Sequence, residues 1–171
     1  RSLDEFRRAV HRAGKEQYPI HIKLDTGMHR LGFVEDEIDF LGRALHGDSS
    51  LRVATIFSHL SCADISAEDA FTRAQIDKYD YMSSQLIEWL DYKPLRHLAN
   101  SAAIVRFKSA AFDMCRLGLG LYGYGFEHSD ELTPVATLST RIVQIKHLAK
   151  GESVGYARAG RLERDTITAT I

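Results

Sequence analysis

The chain has 171 residues, of which 44% are hydrophobic and 26% charged, with a net charge of -1. These are ordinary proportions for a soluble globular protein of one domain, or of one domain and part of another. The near-neutral balance gives no reason to expect nucleic acid or an anionic membrane as partner. No apolar run approaches the roughly 20 residues needed to span a bilayer. Cys62 and Cys115 form no disulfide framework and no signal peptide is visible, so a cytoplasmic setting is expected. The chain opens on Arg1 without a methionine and closes on Ile171 inside a strand-like run, so it reads as a fragment of a longer protein.

The first two-thirds alternates helix and strand. Ser2, Leu3, Asp4 and Glu5 have the form of a capping box, and Leu3, Phe6 and Val10 follow at helical spacing. His21, Lys23 and Asp25 alternate with Ile22 and Leu24, which predicts a short strand with its polar side chains on one face. A lysine and an aspartate on a strand are costly to bury unless they are paired or used. Val34, Ile38, Leu41 and Leu45 mark one helix face. Residues 51–60 read as a buried strand, Ser66 to Asp69 as a helix start, and Tyr79, Met82, Leu86 and Leu90 as the stripe of a long helix ending before Pro94. A strand over 95–98, a helix over 102–107 and a strand over 115–122 complete the region.

Strands separated by helices imply parallel βαβ units. Four such strands are half of an eight-stranded barrel, whose chemistry sits at the C-terminal strand ends. Beyond about Glu127 the pattern becomes all β. Residues 140–146 alternate strictly, and a hairpin is predicted at Lys150, Gly151 and Glu152. The segment from His128 to Pro134 reads as a linker, giving a partial barrel over 1–131 and the start of a β domain over 132–171. The fold expected is therefore α/β, the second half of a TIM-type (β/α)8 barrel followed by the beginning of an all-β domain.

Several motifs carry a resemblance. Lys23, Asp25-Thr26-Gly27-Met28 and Arg30-Leu31-Gly32-Phe33 come first, then Ser58-His59-Leu60-Ser61 and His97-Leu98-Ala99-Asn100-Ser101. Asp113-Met114-Cys115-Arg116-Leu117-Gly118 and Gly155-Tyr156 follow in the same order. Together they resemble the alanine racemases, pyridoxal-phosphate (PLP) enzymes built on a barrel, along nearly the whole chain.

The resemblance implies a role for each matching residue. Tyr156 would be one of two acid/base catalysts, removing or returning the α-proton of alanine, provided nearby positive charge lowers its pKa. His59 would lie between that tyrosine and Arg116 as a hydrogen-bonded relay. Arg116 would face the pyridine nitrogen of PLP, where its permanent charge disfavours protonation of that nitrogen and so limits side reactions. Asn100, Ser101, Gly118 and Leu119 resemble the phosphate cradle. Arg30 would contact the cofactor's phenolic oxygen and the substrate side. Lys23 matches a lysine that is carbamylated in part of the family, and a Lys23–Asp25 pair on a solvated face is its plainer reading. Read without the resemblance, Tyr156 is a packed aromatic, His59 a polar strand end and Arg116 a buried ion-pair partner. Cys62 and Asp64 receive no catalytic role, and no metal-ligand spacing stands out.

The family's Schiff-base lysine, its second catalytic base, belongs to barrel strands that do not appear in this sequence. The parent protein is therefore expected to interconvert L- and D-alanine for peptidoglycan synthesis by two-base proton transfer, and these residues alone to be inactive. A homodimer with a shared active site is implied, Tyr156 being supplied across it. Fusion of the parent to a cell-wall ligase, as in some bacteria, is compatible with the start at Arg1. The alternatives are a broad-specificity or serine racemase of the same fold and a non-catalytic PLP-binding barrel protein. The β segment carrying Tyr156 argues against the last.

Overall fold

In the computed structural model, residues 3–125 and 132–171 are described. The chain divides into two units, Arg1–Val135 and Ala136–Ile171. Ser2, and most of the linker expected from His128 to Pro134, lie outside the described residues.

The first unit runs α1 (Leu3–Arg12), β1 (Tyr18–Lys23), α2 (Ile38–Leu45), β2 (Leu51–Phe57), α3 (Asp69–Glu88), β3 (Leu95–His97) and α4 (Ser101–Arg106). The three strands pair in parallel in the order β1-β2-β3. The apolar side of the sheet and the helix stripes fuse into one core. Leu24, Ile56, Tyr79, Met82, Leu86 and Leu98 are there at 0% exposure. Tyr79 anchors α3 to the sheet, its hydroxyl donating to the Ile56 carbonyl at 2.7 Å. Helix α2 lies so close to the end of α3 that a β-carbon on Gly42 would collide with the Trp89 ring.

Four expected elements differ. Val34 is exposed and precedes α2 instead of lying on its buried face, which begins at Ile38. Strand β2 stops at Phe57 and α3 at Glu88. The strand expected over 115–122 does not form. That stretch is extended only as far as an isolated bridge between His97 and Met114, and it closes in a 3-10 turn, Leu119–Tyr122. The reason is local. The N–H groups of Gly118 and Gly120 donate to the Ser101 hydroxyl instead of to a neighbouring strand.

The second unit holds β4 (Gln144–Leu148), β5 (Ser153–Val154), β6 (Gly160–Arg161) and β7 (Thr166–Thr170). Strand β4 pairs antiparallel with β7, and β5 with β6. Residues 140–143 are therefore not in a strand: Gln144 already pairs with Thr170, which leaves them almost no partner. The turn at Lys150 and Gly151 joins strands of two different sheets, so it is not the expected hairpin. The Gly151 N–H turns to the Leu162 carbonyl, and Leu162 donates back to Glu152.

Candidate active site

Parallel pairing sets Lys23, Phe57 and His97 in a row across the C-terminal ends of β1, β2 and β3. Residues in register on adjacent strands present their side chains to the same face. The contacts agree. The His97 ring stacks on Phe57 at 5.1 Å and 2°, and the Lys23 Nζ lies 6.0 Å from the Phe57 ring centroid. His21 and Thr55 form the row beneath, joined Nδ1 to Oγ1 at 2.8 Å. Lys23 thus sits over an aromatic ring and not against Asp25.

Arg116 ties these strand ends together. Its Nη2 donates to the carbonyls of Ser58 at 2.7 Å and Leu98 at 3.1 Å, and its Nη1 to the His97 carbonyl at 3.2 Å. The same two nitrogens reach His59 Nδ1 at 3.3 Å and His97 Nδ1 at 2.6 Å. A guanidinium has only hydrogens to give, so His97 must accept at Nδ1 and carry its proton on Nε2, while His59 Nδ1 shares the two Nη2 hydrogens with the nearer Ser58 and Leu98 carbonyls. Burial, then the Arg116, Arg30 and Lys23 cations, hold the His59 pKa below the usual histidine value. The guanidinium beside Nδ1 disfavours a proton there, which leaves Nε2 as the ring donor, and among the described residues Nε2 has no partner. No carboxylate pairs with Arg116 among the described residues, so its expected buried ion pair is replaced by carbonyls and imidazoles.

The turn after β1 presents Arg30. Asp25 is buried, and its carboxylate accepts the N–H groups of Gly27 and His29, each at 3.0 Å. Burial pushes its pKa up, but those bonds and the His29 ring outweigh it and hold the pKa below the ordinary carboxylate value. The turn is closed by Asp25 N–H to Phe33 O at 2.8 Å and Phe33 N–H to Lys23 O at 2.9 Å. Arg30 itself is exposed at the tip.

The phosphate-cradle residues also converge. Asn100 caps α4, accepting the Ala103 N–H at 3.1 Å. The Ser101 oxygen accepts the N–H of Gly118 at 2.8 Å and of Gly120 at 3.2 Å, and among the described residues nothing takes up the hydroxyl hydrogen. His59, Asn100, Ser101, Arg116, Gly118 and Leu119 line one cavity of about 360 Å³. Tyr156 belongs to the second unit. It is wholly exposed and follows Gly155 at φ 83°, with Ala157 and Arg158 both left-handed. Thr55 and Phe57 were not singled out from the sequence, and His97 only as part of a motif, with no role. Their part in the site comes from strand register, which the sequence does not display.

A basic and imidazole-rich cluster at parallel strand ends, beside a serine-and-glycine cradle, defines half of a barrel enzyme's site. The comparisons place that class. The model of the family "Alanine racemase, N-terminal domain" matches residues 1–125 and that of "Alanine racemase, C-terminal domain" residues 135–171. The chain is 37% identical to the alanine racemase of Clostridium tetani over 161 residues, covering 89% of this chain and 41% of that protein. It is 33% identical to alanine racemase 1 of Bacillus subtilis, covering 99% of this chain and 44% of that one. The crystal structure of alanine racemase from D-cycloserine-producing Streptomyces lavendulae superposes with a TM-score of 0.74 at 29% identity, over 98% of this chain and 46% of that structure. The chain belongs to the alanine racemase family. Its fold is α/β, the second half of a TIM-type (β/α)8 barrel followed by the beginning of the family's C-terminal β domain. It spans about four-tenths of the length of the curated relatives it matches, 41% and 44% in the two named.

Proposed function

We propose that the whole protein to which these residues belong is a PLP-dependent alanine racemase, interconverting L- and D-alanine and supplying D-alanine for peptidoglycan in the cytoplasm. The observation that carries this reading is Arg116, held by strand-end carbonyls and two imidazoles at the edge of the cavity that Ser101 also lines.

The donor set fits the cofactor. Among the described residues Arg116 spends only Nη1 and Nη2, so its Nε–H remains to face an acceptor such as the ring nitrogen. The uncommitted Ser101 hydroxyl, with Asn100, Gly118 and Leu119, would hold the phosphate. When bound, PLP supplies the electron sink that acidifies the substrate α-carbon.

The protein's own residues do the rest. Arg116 keeps its positive charge and so disfavours a second positive charge on the ring beside it. Arg30 would contact the phenolic oxygen and the substrate, and Lys23, as its carbamate, would hold Arg30. Tyr156 exchanges the α-proton at its phenolic oxygen, and the neutral His59 couples that oxygen to Arg116 through its Nε2–H. Residues 1–131 thus serve as the cofactor-holding half and residues 132–171 as the carrier of the tyrosine. A homodimer in which Tyr156 completes the partner's site is the assembly this reading requires.

The test is racemisation of L-alanine and of L-serine by the full-length protein with PLP, wild type against Tyr156→Phe. The expected result is an alanine-preferring wild type and a loss on the order of 10²- to 10⁴-fold in the mutant, the usual worth of a general base. A wild type that binds PLP yet racemises neither amino acid would refute the reading.

A further inference from the structure

The cluster extends past the residues assigned so far. Thr55, buried in the middle strand, is shared by two histidines: its Oγ1 lies 3.0 Å from His97 Nε2 and 2.8 Å from His21 Nδ1. Because His97 must accept from Arg116 at Nδ1, its only ring proton is on Nε2 and is donated to Thr55. The threonine hydroxyl hydrogen is then left for His21. Arg116, His97, Thr55 and His21 form one directional chain of hydrogen bonds across the face of the sheet. His97 is itself buried and clamped flat on Phe57.

The geometry points to His97 as a positioning residue for Arg116: its Nδ1 lone pair, with the ring proton on Nε2 accepted by Thr55, sets the guanidinium so that Nε–H is the donor left for the cavity's ligand. The inference rests on Arg116 serving as proposed above. Burial, then the Arg116 and His21 charges, pushes the His97 pKa down to about 4, so the lone pair is present throughout the neutral range. The carbonyl contacts of Arg116 fix where the guanidinium sits, but each carbonyl accepts from a range of directions. An in-plane imidazole nitrogen at 2.6 Å is the more directional restraint.

The test uses the full-length protein as wild type, His97→Asn, His97→Leu and Thr55→Val. Histidine-ring 15N–1H correlation spectra, recorded before PLP is added, read the tautomer directly. A pyridine-like Nδ1 on His97 is expected in the wild type and, because Arg116 can only donate, also in the near-isosteric Thr55→Val, where the Nε2–H resonance should shift on loss of its acceptor. A protonated ring or an Nδ1–H overturns the inference. With PLP bound, the absorbance band of the cofactor and the kinetics on L-alanine follow. His97→Leu should shift the band and lower kcat on the order of 10- to 100-fold, the worth of a hydrogen bond to a charged group, with KM little changed. His97→Asn, whose amide oxygen stands near the place of Nδ1, should restore most of both. Equal losses in both His97 variants, or none in either, overturn the inference. An inactive wild type with the expected tautomer would sink the racemase reading while upholding the hold of His97 on Arg116.

Discussion

The Ser101 hydroxyl oxygen accepts the backbone N–H of Gly118 at 2.8 Å, across 17 residues of chain. The two groups expected to hold a phosphate therefore already hold each other. Ser101→Ala removes the hydroxyl donor and releases the loop of Gly118 and Gly120. We expect PLP affinity to weaken by about tenfold or more, the usual worth of a hydrogen bond to a charged acceptor. Titration of the full-length protein with PLP, followed by absorbance, reads this. Unchanged affinity would remove Ser101 from the cradle.

Gly32 closes the turn that presents Arg30. It sits at φ +128°, and a β-carbon there would lie 2.7 Å from both the Asp25 nitrogen and the Leu24 carbonyl carbon. Both neighbours are backbone and cannot yield cheaply. Gly32→Ala should cost about 2 to 3 kcal/mol of stability, whereas Gly47→Ala, at φ +67° in open space, should cost about 1 kcal/mol or less. Urea unfolding midpoints distinguish the two, and equal costs would contradict the packing described.

Acid should loosen the fold in a window set by His97. Its folded pKa is about 4 against an ordinary value of 6.5, so between these the unfolded chain binds a proton that the folded chain refuses. The contribution is intact above the ordinary value, shrinks as pH falls through the window, and is gone at and below about 4. Its full size is about 3 kcal/mol. His97→Asn should flatten this part of the stability–pH curve. A mutant curve parallel to wild type through the window would count against a neutral buried His97.

Tyr79 offers a test of the core. Its hydroxyl and the Ile56 carbonyl it serves are both wholly buried. Tyr79→Phe removes that bond and should cost about 1 kcal/mol. The change should appear in the urea midpoint and leave the L-to-D rate ratio untouched. A stabilised variant would mean the bond is not there in solution.

Much of the first unit was legible because its signals are periodic. Ile38, Leu41 and Leu45 share a face of α2, and Tyr79, Met82 and Leu86 share a face of α3, as their spacing predicts. The region after Cys115 misled because its apolar residues alternate plausibly while its amides are claimed by a serine 17 residues upstream. Side-chain capture of backbone donors leaves no periodic trace. The turn role of Asp25 could also have been read: an aspartate two residues before a glycine is the sequence form of an Asx turn, and Gly27 does donate to it. His97 could not. Its partners Thr55, Phe57 and Arg116 meet it only through the parallel register of β2 with β3 and the return of the chain at Arg116. In the second unit, alternation revealed strands but not which strand pairs with which.

The bond from Arg116 to the Ser58 carbonyl spans 58 residues. It closes a long loop of chain, and its entropic cost is met only once β2 and β3 are in place. The Arg30 turn, by contrast, is closed within the eleven residues from Lys23 to Phe33 and can form on its own early in folding. The two halves of the proposed site therefore belong to different stages of refolding. A partly folded chain would present the Arg30 turn complete while the Arg116 cluster was still unmade, so recovery of cofactor binding during refolding should report the last step of assembly and not the first.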